Sequence, residues 1–185
     1  MLTSIIIRTY NEQKYLGQLL TKIAEQEKKL TDVEVVIVDS GSTDKTLEIA
    51  KIHKCRITHI TQSDFTFGRS LNYGCDFANG DFLVFVSGHC IPRDIHWLDE
   101  LIAPLIDGVA PYGYGRQQAH GPTKFSEKCH FEKWFPEYSK LPQTGFFCNN
   151  ANAALTREAW QKHSFNENRL GKQTMNIRQK WLWAS

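Results

Sequence analysis

Two short apolar runs, each rich in β-branched residues and each stopped by a polar cluster, constrain this chain more than any other feature. Ser4-Ile5-Ile6-Ile7 runs into Arg8-Thr9-Tyr10-Asn11-Glu12, and Val33 to Val38 runs into Asp39-Ser40-Gly41-Ser42-Thr43-Asp44. Continuous runs of this kind read as strands buried on both faces, the signature of a parallel sheet. In open α/β sheets ligands bind outside the carboxyl ends of the strands, so both polar clusters are expected to line one crevice. Asp and Ser after a strand also cap helices, a plainer reading of either cluster alone. Taken together, the clusters point to a nucleotide site built without a glycine-rich phosphate loop.

The rest of the chain alternates in the same way. Leu16, Leu19, Leu20 and Ile23 recur at helical spacing and predict a helix laid on the sheet. Ser42 and Thr43 are expected to cap a second helix through Leu47 and Ala50, with Asp44 in its first turn. A third strand is predicted over Ile57 to Thr61. A compact helix from Gly68 to Ala78 carries Leu71 and Cys75, closed by Asn79-Gly80 in the usual C-terminal position for glycine. Phe82 to Val86 reads as a central buried strand that stops at Ser87-Gly88-His89-Cys90. A further helix holds Ile95, Leu98, Leu101, Ile102 and Leu105, its end marked by Pro104 and Gly108. The glycines of Pro111 to Gln117 are spaced like a phosphate loop, yet no strand, glycine and helix arrangement supports a dinucleotide fingerprint, and a bent strand is expected. Thr156 is expected to open a short helix containing Trp160.

Composition narrows the function classes. A chain of 185 residues fits one α/β domain with a sizeable core. Its 22 basic and 20 acidic residues leave a net charge of +2, which gives no electrostatic reason to expect nucleic acid or an anionic membrane as partner. The chain enters a strand within a few residues of Met1, and no apolar stretch has the length of a membrane span. A soluble protein on the cytoplasmic side is therefore expected, with peripheral membrane association left open. Cys55, Cys75, Cys90, Cys129 and Cys148 are odd in number and lack C-x-x-C spacing, so they read as reduced, packed thiols.

Four segments in order, Ser4-Ile-Ile-Ile-Arg-Thr-Tyr-Asn-Glu12, Val36-Ile-Val-Asp-Ser-Gly-Ser-Thr-Asp-Lys-Thr46, Phe67-Gly-Arg-Ser-Leu-Asn-Tyr-Gly74 and Asn79-Gly-Asp-Phe-Leu-Val-Phe-Val86, resemble the nucleotide-binding half of the family 2 glycosyltransferases, which have the GT-A fold. The opening Arg-Thr-Tyr-Asn-Glu is most similar to rhamnosyltransferase-like members. The resemblance implies a single Rossmann-like domain with a mostly parallel central sheet flanked by helices. Residues 1–92 would form its nucleotide-sugar-binding half, 93–167 the acceptor side, and 168–185 an atypical basic tail. It also implies transfer of a sugar from a nucleoside diphosphate donor to a hydroxyl of a glycan or lipid-linked acceptor, with inversion.

Roles follow from chemistry and resemblance together. A pyrimidine edge presents an imide N–H, which suits Asp39 as acceptor, while Tyr10 covers the ring face and Thr9 and Glu12 frame base and ribose. The guanidinium fork of Arg69 suits diphosphate oxygens. Where the family usually places Asp-x-Asp to hold Mg²⁺ or Mn²⁺, this chain has Ser87-Gly88-His89. His89 can serve as a single imidazole ligand to Mn²⁺, or as an imidazolium on the phosphate; catalytic weakening is the third reading. Trp134, Phe135, Tyr138, Phe146 and Phe147 form either a sugar-stacking surface or core, and Asn149 and Asn150 resemble the segment that returns to the donor sugar.

The carboxylate base expected soon after Glu167 is absent, for residues 168–185 contain no Asp or Glu. Codons for Gln173-Thr174-Met175-Asn176, read two nucleotides later, can give Asp, a variable residue, then Glu, so a frameshift or truncation is one explanation and an ordinary divergent tail the other. A noncatalytic nucleotide-binding or scaffold domain is the competing function, and the lack of a glycine-rich first turn argues against a methyltransferase.

Overall fold

The computed structural model describes residues 1–118, 135, 138–139 and 150–168. Its elements are β1 (Leu2–Thr9), α1 (Leu16–Ala24), β2 (Asp32–Asp39), α2 (Thr46–Ile52), β3 (Arg56–His59), α3 (Phe67–Phe77), β4 (Phe82–Ser87), α4 (Trp97–Ile106), β5 (Tyr112–Tyr114), β6 (Asn152–Thr156) and α5 (Arg157–Lys162). The described strands form one sheet in the order β3-β2-β1-β4-β6-β5. β3, β2, β1 and β4 run parallel, whereas β6 is antiparallel to both β4 and β5.

Side chains of a strand alternate between faces, and the two faces of this sheet carry separate cores. Ile5, Ile7, Ile37, Val84 and Val86 pack under α1 and α4 with Leu16, Leu19, Leu98 and Ile102. Ile6, Val36, Val38, Leu83 and Phe85 pack under α3 and α5 with Leu71, Cys75, Trp160 and Phe165. Ile5, Ile6 and Ile7 are wholly buried, and each contributes about 1.5–3 kcal/mol of transfer free energy. Covering on both faces is why the runs are continuously apolar. Arg8 is the next residue on the α3 face, the place where an apolar side chain would continue that core.

Several boundaries differ from the sequence reading. The start of α2 is held by Asp44, whose Oδ1 accepts the Thr46 amide at 2.9 Å, and not by Ser42 or Thr43. Ser42 is turned elsewhere, for its hydroxyl donates to Asp39 and accepts the Asn11 amide. β3 begins at Arg56 and ends at His59, so Ile60 and Thr61 lie beyond the ladder. Helix α3 ends in an extended Ala78, and Gly80 is not its left-handed cap. A Cβ on Gly80 would stand 2.6 Å from the Ser4 amide, so glycine serves a close approach to β1. The carbonyls at the end of α3 are instead taken by one side chain, Arg157, which donates to Cys75 O, Ala78 O and Gly80 O at 3.1, 2.8 and 2.7 Å. Ile95 precedes α4, and Pro104 lies inside that helix, which closes at Asp107 and the left-handed Gly108. The helix gives up one backbone bond at Pro104 and keeps Leu101, Ile102 and Leu105 buried. No described helix is long and apolar enough to cross a membrane.

Candidate active site at the carboxyl edge of the sheet

After β3 the chain returns to the far side of β1 to form β4, so the strand order reverses between β1 and β4. Crevices at such a switch point are the usual ligand sites of open α/β sheets. Register brings the expected residues there: Thr9 lies opposite Asp39, and Arg8 lies opposite Ser87.

Asp39 is 1% exposed and organises the first wall. One oxygen accepts Thr9 Oγ1 at 2.9 Å and the Ser42 hydroxyl; the other accepts the Gly41 and Ser42 amides at 3.0 and 2.9 Å. The left-handed φ of +92° at Gly41 lets that turn close. The loop after β1 is sewn to the loop after β2. Ser42 Oγ accepts the Asn11 amide, Asn11 Oδ1 accepts the Thr43 amide, Thr46 Oγ1 accepts the Glu12 amide, and Asp44 Oδ2 accepts the Gln13 amide, all within 3.2 Å. Asn11 takes a left-handed φ of 55° to do so, a conformation Asn tolerates. Tyr10 is thereby presented to solvent at 53% exposure, its ring open for stacking. The structure thus brings Thr9, Tyr10, Glu12 and Asp39 together as expected, with the Asp39 oxygens already engaged by the protein.

The second wall is the end of β4. His89 Nδ1 stands 3.5 Å from Glu12 Oε1, with His89 mostly exposed and Glu12 largely covered. A Cβ on Gly88 would lie 3.0 Å from Glu12 Cγ, so the glycine lets Glu12 cross beneath this turn. Among the described residues no three His, Cys, Asp or Glu side chains gather as a metal cluster. Burial pushes the Cys90 thiol up, which fits an inert, packed cysteine. Cys55 and Cys75 are free thiols shifted the same way by burial, and Cys129 and Cys148 lie outside the described residues.

The third wall is the start of α3. Thr66 caps it by accepting the Arg69 amide at 3.0 Å. Arg69 was expected to face an anion, but its Nε donates to Glu167 at 3.0 Å and its Nη1 to Asp64 O at 2.9 Å. Glu167 also accepts Asn72 Nδ2 at 2.8 Å, and the Asn72 bond followed by Arg69 holds its carboxyl below the ordinary value. Asn166 presses so closely on Gly68 that any side chain there would collide with its carbonyl.

Arg8 was not assigned a role from sequence. Its guanidinium lies 4.9 Å from the Phe67 ring centroid, a cation–π contact, and burial pushes its pKa down to about 10. It remains charged at neutral pH. Among the described residues no carboxylate or hydrogen-bond acceptor reaches it, and burial alone perturbs it. The available signal was a charged residue terminating an otherwise apolar strand.

On the remaining side, the Ser87 amide donates to Ala151 O at 3.2 Å, which sets Asn150 beside the end of β4. Asn149, Trp134, Phe146, Phe147 and the tail from 169 onward lie outside the described residues. Phe135 is buried against Tyr114, hence core, and Tyr138 is 65% exposed.

A model described as Glycosyl transferase family 2 matches residues 4–164. The poly(ribitol-phosphate) beta-N-acetylglucosaminyltransferase TarS of Staphylococcus aureus is 34% identical over 87 residues, 45% of this chain and 15% of that protein. A dolichyl N-acetyl-alpha-D-glucosaminyl phosphate 3-beta-D-2,3-diacetamido-2,3-dideoxy-beta-D-glucuronosyltransferase of Methanococcus voltae is 33% identical over 95 residues, 49% of this chain and 30% of that one. The matched region is therefore a minor part of either relative's length. Among solved structures, S. aureus TarS 1–349 in complex with UDP superposes with a TM-score of 0.72 at 23% identity, covering 92% of this chain and 52% of that one. The mannosyltransferase PcManGT from Pyrobaculum calidifontis, in complex with GDP-Man and Mn²⁺, superposes with a TM-score of 0.67 at 21% identity, covering 90% and 48%. These neighbours share the GT-A fold.

Proposed function

The chain belongs to glycosyl transferase family 2, and from that membership we propose that it moves a sugar from a nucleoside diphosphate-sugar to an acceptor hydroxyl, with inversion, in glycan or cell-surface polysaccharide synthesis. The observation that carries this reading is the pair of sewn loops at the switch point, which presents an exposed Tyr10 ring beside Thr9 and Asp39. Tyr10 covers the base, Thr9 and Glu12 frame base and ribose, and Asp39 accepts the base edge on exchanging one of its protein donors. Ser87 and His89 face the diphosphate, and Asn149 and Asn150 face the transferred sugar. The acceptor is a glycan or lipid-linked hydroxyl, and the protein is cytoplasmic.

Divalent metal accompanies the donor in structural neighbours of this fold. The residues present fit Mn²⁺ better than Mg²⁺, because the nearest donors are an imidazole nitrogen of His89 and a carboxylate oxygen of Glu12. A metal held there would draw charge from the departing diphosphate. A noncatalytic nucleotide-binding domain is the second reading, favoured by Ser87-Gly88-His89 in place of Asp-x-Asp and by the lack of acid in 168–185.

Calorimetry with UDP-, GDP- and dTDP-sugars, with and without Mn²⁺, tests the proposal. One donor is expected to bind, Mn²⁺ to tighten it, and His89→Ala to remove that tightening while sparing metal-free affinity. Transfer or donor hydrolysis above background selects the enzyme, and tight binding without turnover selects the second reading. No binding by any donor overturns both.

A further inference from the structure

A guanidinium that is partly withdrawn from water, as half-buried Arg8 is, and that lacks a counter-charge costs stability, and such groups persist where a ligand supplies the missing anion. Arg8 is in that position. It ends β1 on the face that carries α3, opposite Ser87 of β4 and Val38 of β2, at the carboxyl edge where the strand order reverses. The Phe67 ring in the first turn of α3 holds it by a cation–π contact, which orients the cation without neutralising it. Arg69, the arginine expected here from sequence, is satisfied: Glu167 and the Asp64 carbonyl occupy it. Nor can nearby acids serve Arg8, since Asp39 is engaged by four donors and Glu12 turns toward His89.

We propose that Arg8 is the guanidinium that binds the diphosphate of the donor, from the α3 side of the switch point, and that Arg69 braces the loop at Glu167 instead. This rests on the donor-site reading given above. A planar fork of N–H donors matches paired phosphate oxygens, and the replacement of carboxylates by Ser87-Gly88-His89 removes the negative charge that would otherwise compete for it. Arginine at this position and a neutral strand end at β4 are thus two halves of one charge arrangement.

The test compares UDP, GDP and dTDP with uridine, guanosine and thymidine, by calorimetry without metal, on the unaltered protein and on Arg8→Met, Arg8→Lys and Arg69→Ala. Arg8→Met is expected to weaken the bound diphosphate by about 10- to 100-fold and leave its nucleoside within about twofold. Arg8→Lys keeps the charge, loses the fork and falls between. Arg69→Ala changes the diphosphate-to-nucleoside ratio less than Arg8→Met does. The ligand-free Tm of Arg8→Met is expected to rise slightly, because an unpaired, half-buried charge is removed, and a lower Tm marks Arg8 as a packing residue and counts against the proposal. An unchanged diphosphate-to-nucleoside ratio in Arg8→Met overturns this inference alone. Failure of all three diphosphates to bind the unaltered protein removes it together with the donor reading.

Discussion

Glu167 pairs with Arg69 and leaves Arg8 without a carboxylate. Its two oxygens take Arg69 and Asn72, and both bonds favour the ionised carboxylate. The folded pKa is therefore depressed below its ordinary 4.5, so the contribution to stability is present above that value and is lost as acid carries the pH below it. Glu167 is 40% exposed and Arg69 32%, so solvent screening keeps the ion pair under about 1 kcal/mol. Glu167→Gln is expected to lower stability by less than that amount at pH 7, with the difference from the parent shrinking in acid. Urea denaturation across pH 3 to 7 checks it, and a constant difference over that range would sink the ion-pair account. At this scale the sequence was informative where chemistry is local. A strand that stops at Thr9 or Asp39 announces its position by the end of the apolar run. The state of Arg8 and Arg69 was not legible, because it depends on whether a carboxylate from a distant segment arrives, and Glu167 reaches one arginine and not the other.

Helix α3 depends on residues far along the chain at both of its ends. Asn72, buried in its middle, donates to Phe165 O and Glu167 and accepts from Trp160 Nε1 and the Phe165 amide. Arg157 closes the far end by taking three carbonyls. Asn72→Ala would strand the indole N–H and the Phe165 amide in a region with little access for water, so a loss of about 3 kcal/mol is expected by urea or thermal unfolding. A loss under about 1 kcal/mol would show that water replaces the amide and that the clasp is dispensable. The apolar spacing of Leu71 and Cys75 was enough to predict the helix, as the spacing of Leu16, Leu19, Leu20 and Ile23 was for α1. Its terminal chemistry was not, since a cap supplied by an arginine 82 residues away leaves no local mark. Pro104 misled for a related reason. The packing of Leu101, Ile102 and Leu105 outweighs one missing helical hydrogen bond, and only the assembled core sets that balance.

For the molecule as a whole, the parallel half was written into the sequence as uninterrupted apolar runs, and the antiparallel strand was not. β6 reads as Asn-Ala-Ala-Leu-Thr, too short and too small-chained to be distinguished from a helix segment until it pairs with β4. Activity is the other whole-molecule property. With no carboxylate in residues 168–185, these 185 residues are expected to hold donor and transfer its sugar about 100- to 10,000-fold more slowly than a form with an Asp-x-Glu segment after Gly171. Labelled-sugar transfer by both forms measures the gap, alongside sequencing of the gene past the Gly171 codon. Equal turnover removes the missing-base account. The position of β6 also has a consequence for synthesis on the ribosome. β1 to β4 leave the exit tunnel first and can assemble as a parallel unit, but β4, with its Phe-Leu-Val-Phe-Val, stays an unpaired border until residues 88–151 have been translated and β6 arrives. At about 5–20 residues per second the nascent chain carries an open, sticky seam for several seconds. Unpaired apolar edges are sites of intermolecular strand pairing, so the interval before β6 docks is when this polypeptide most needs a chaperone.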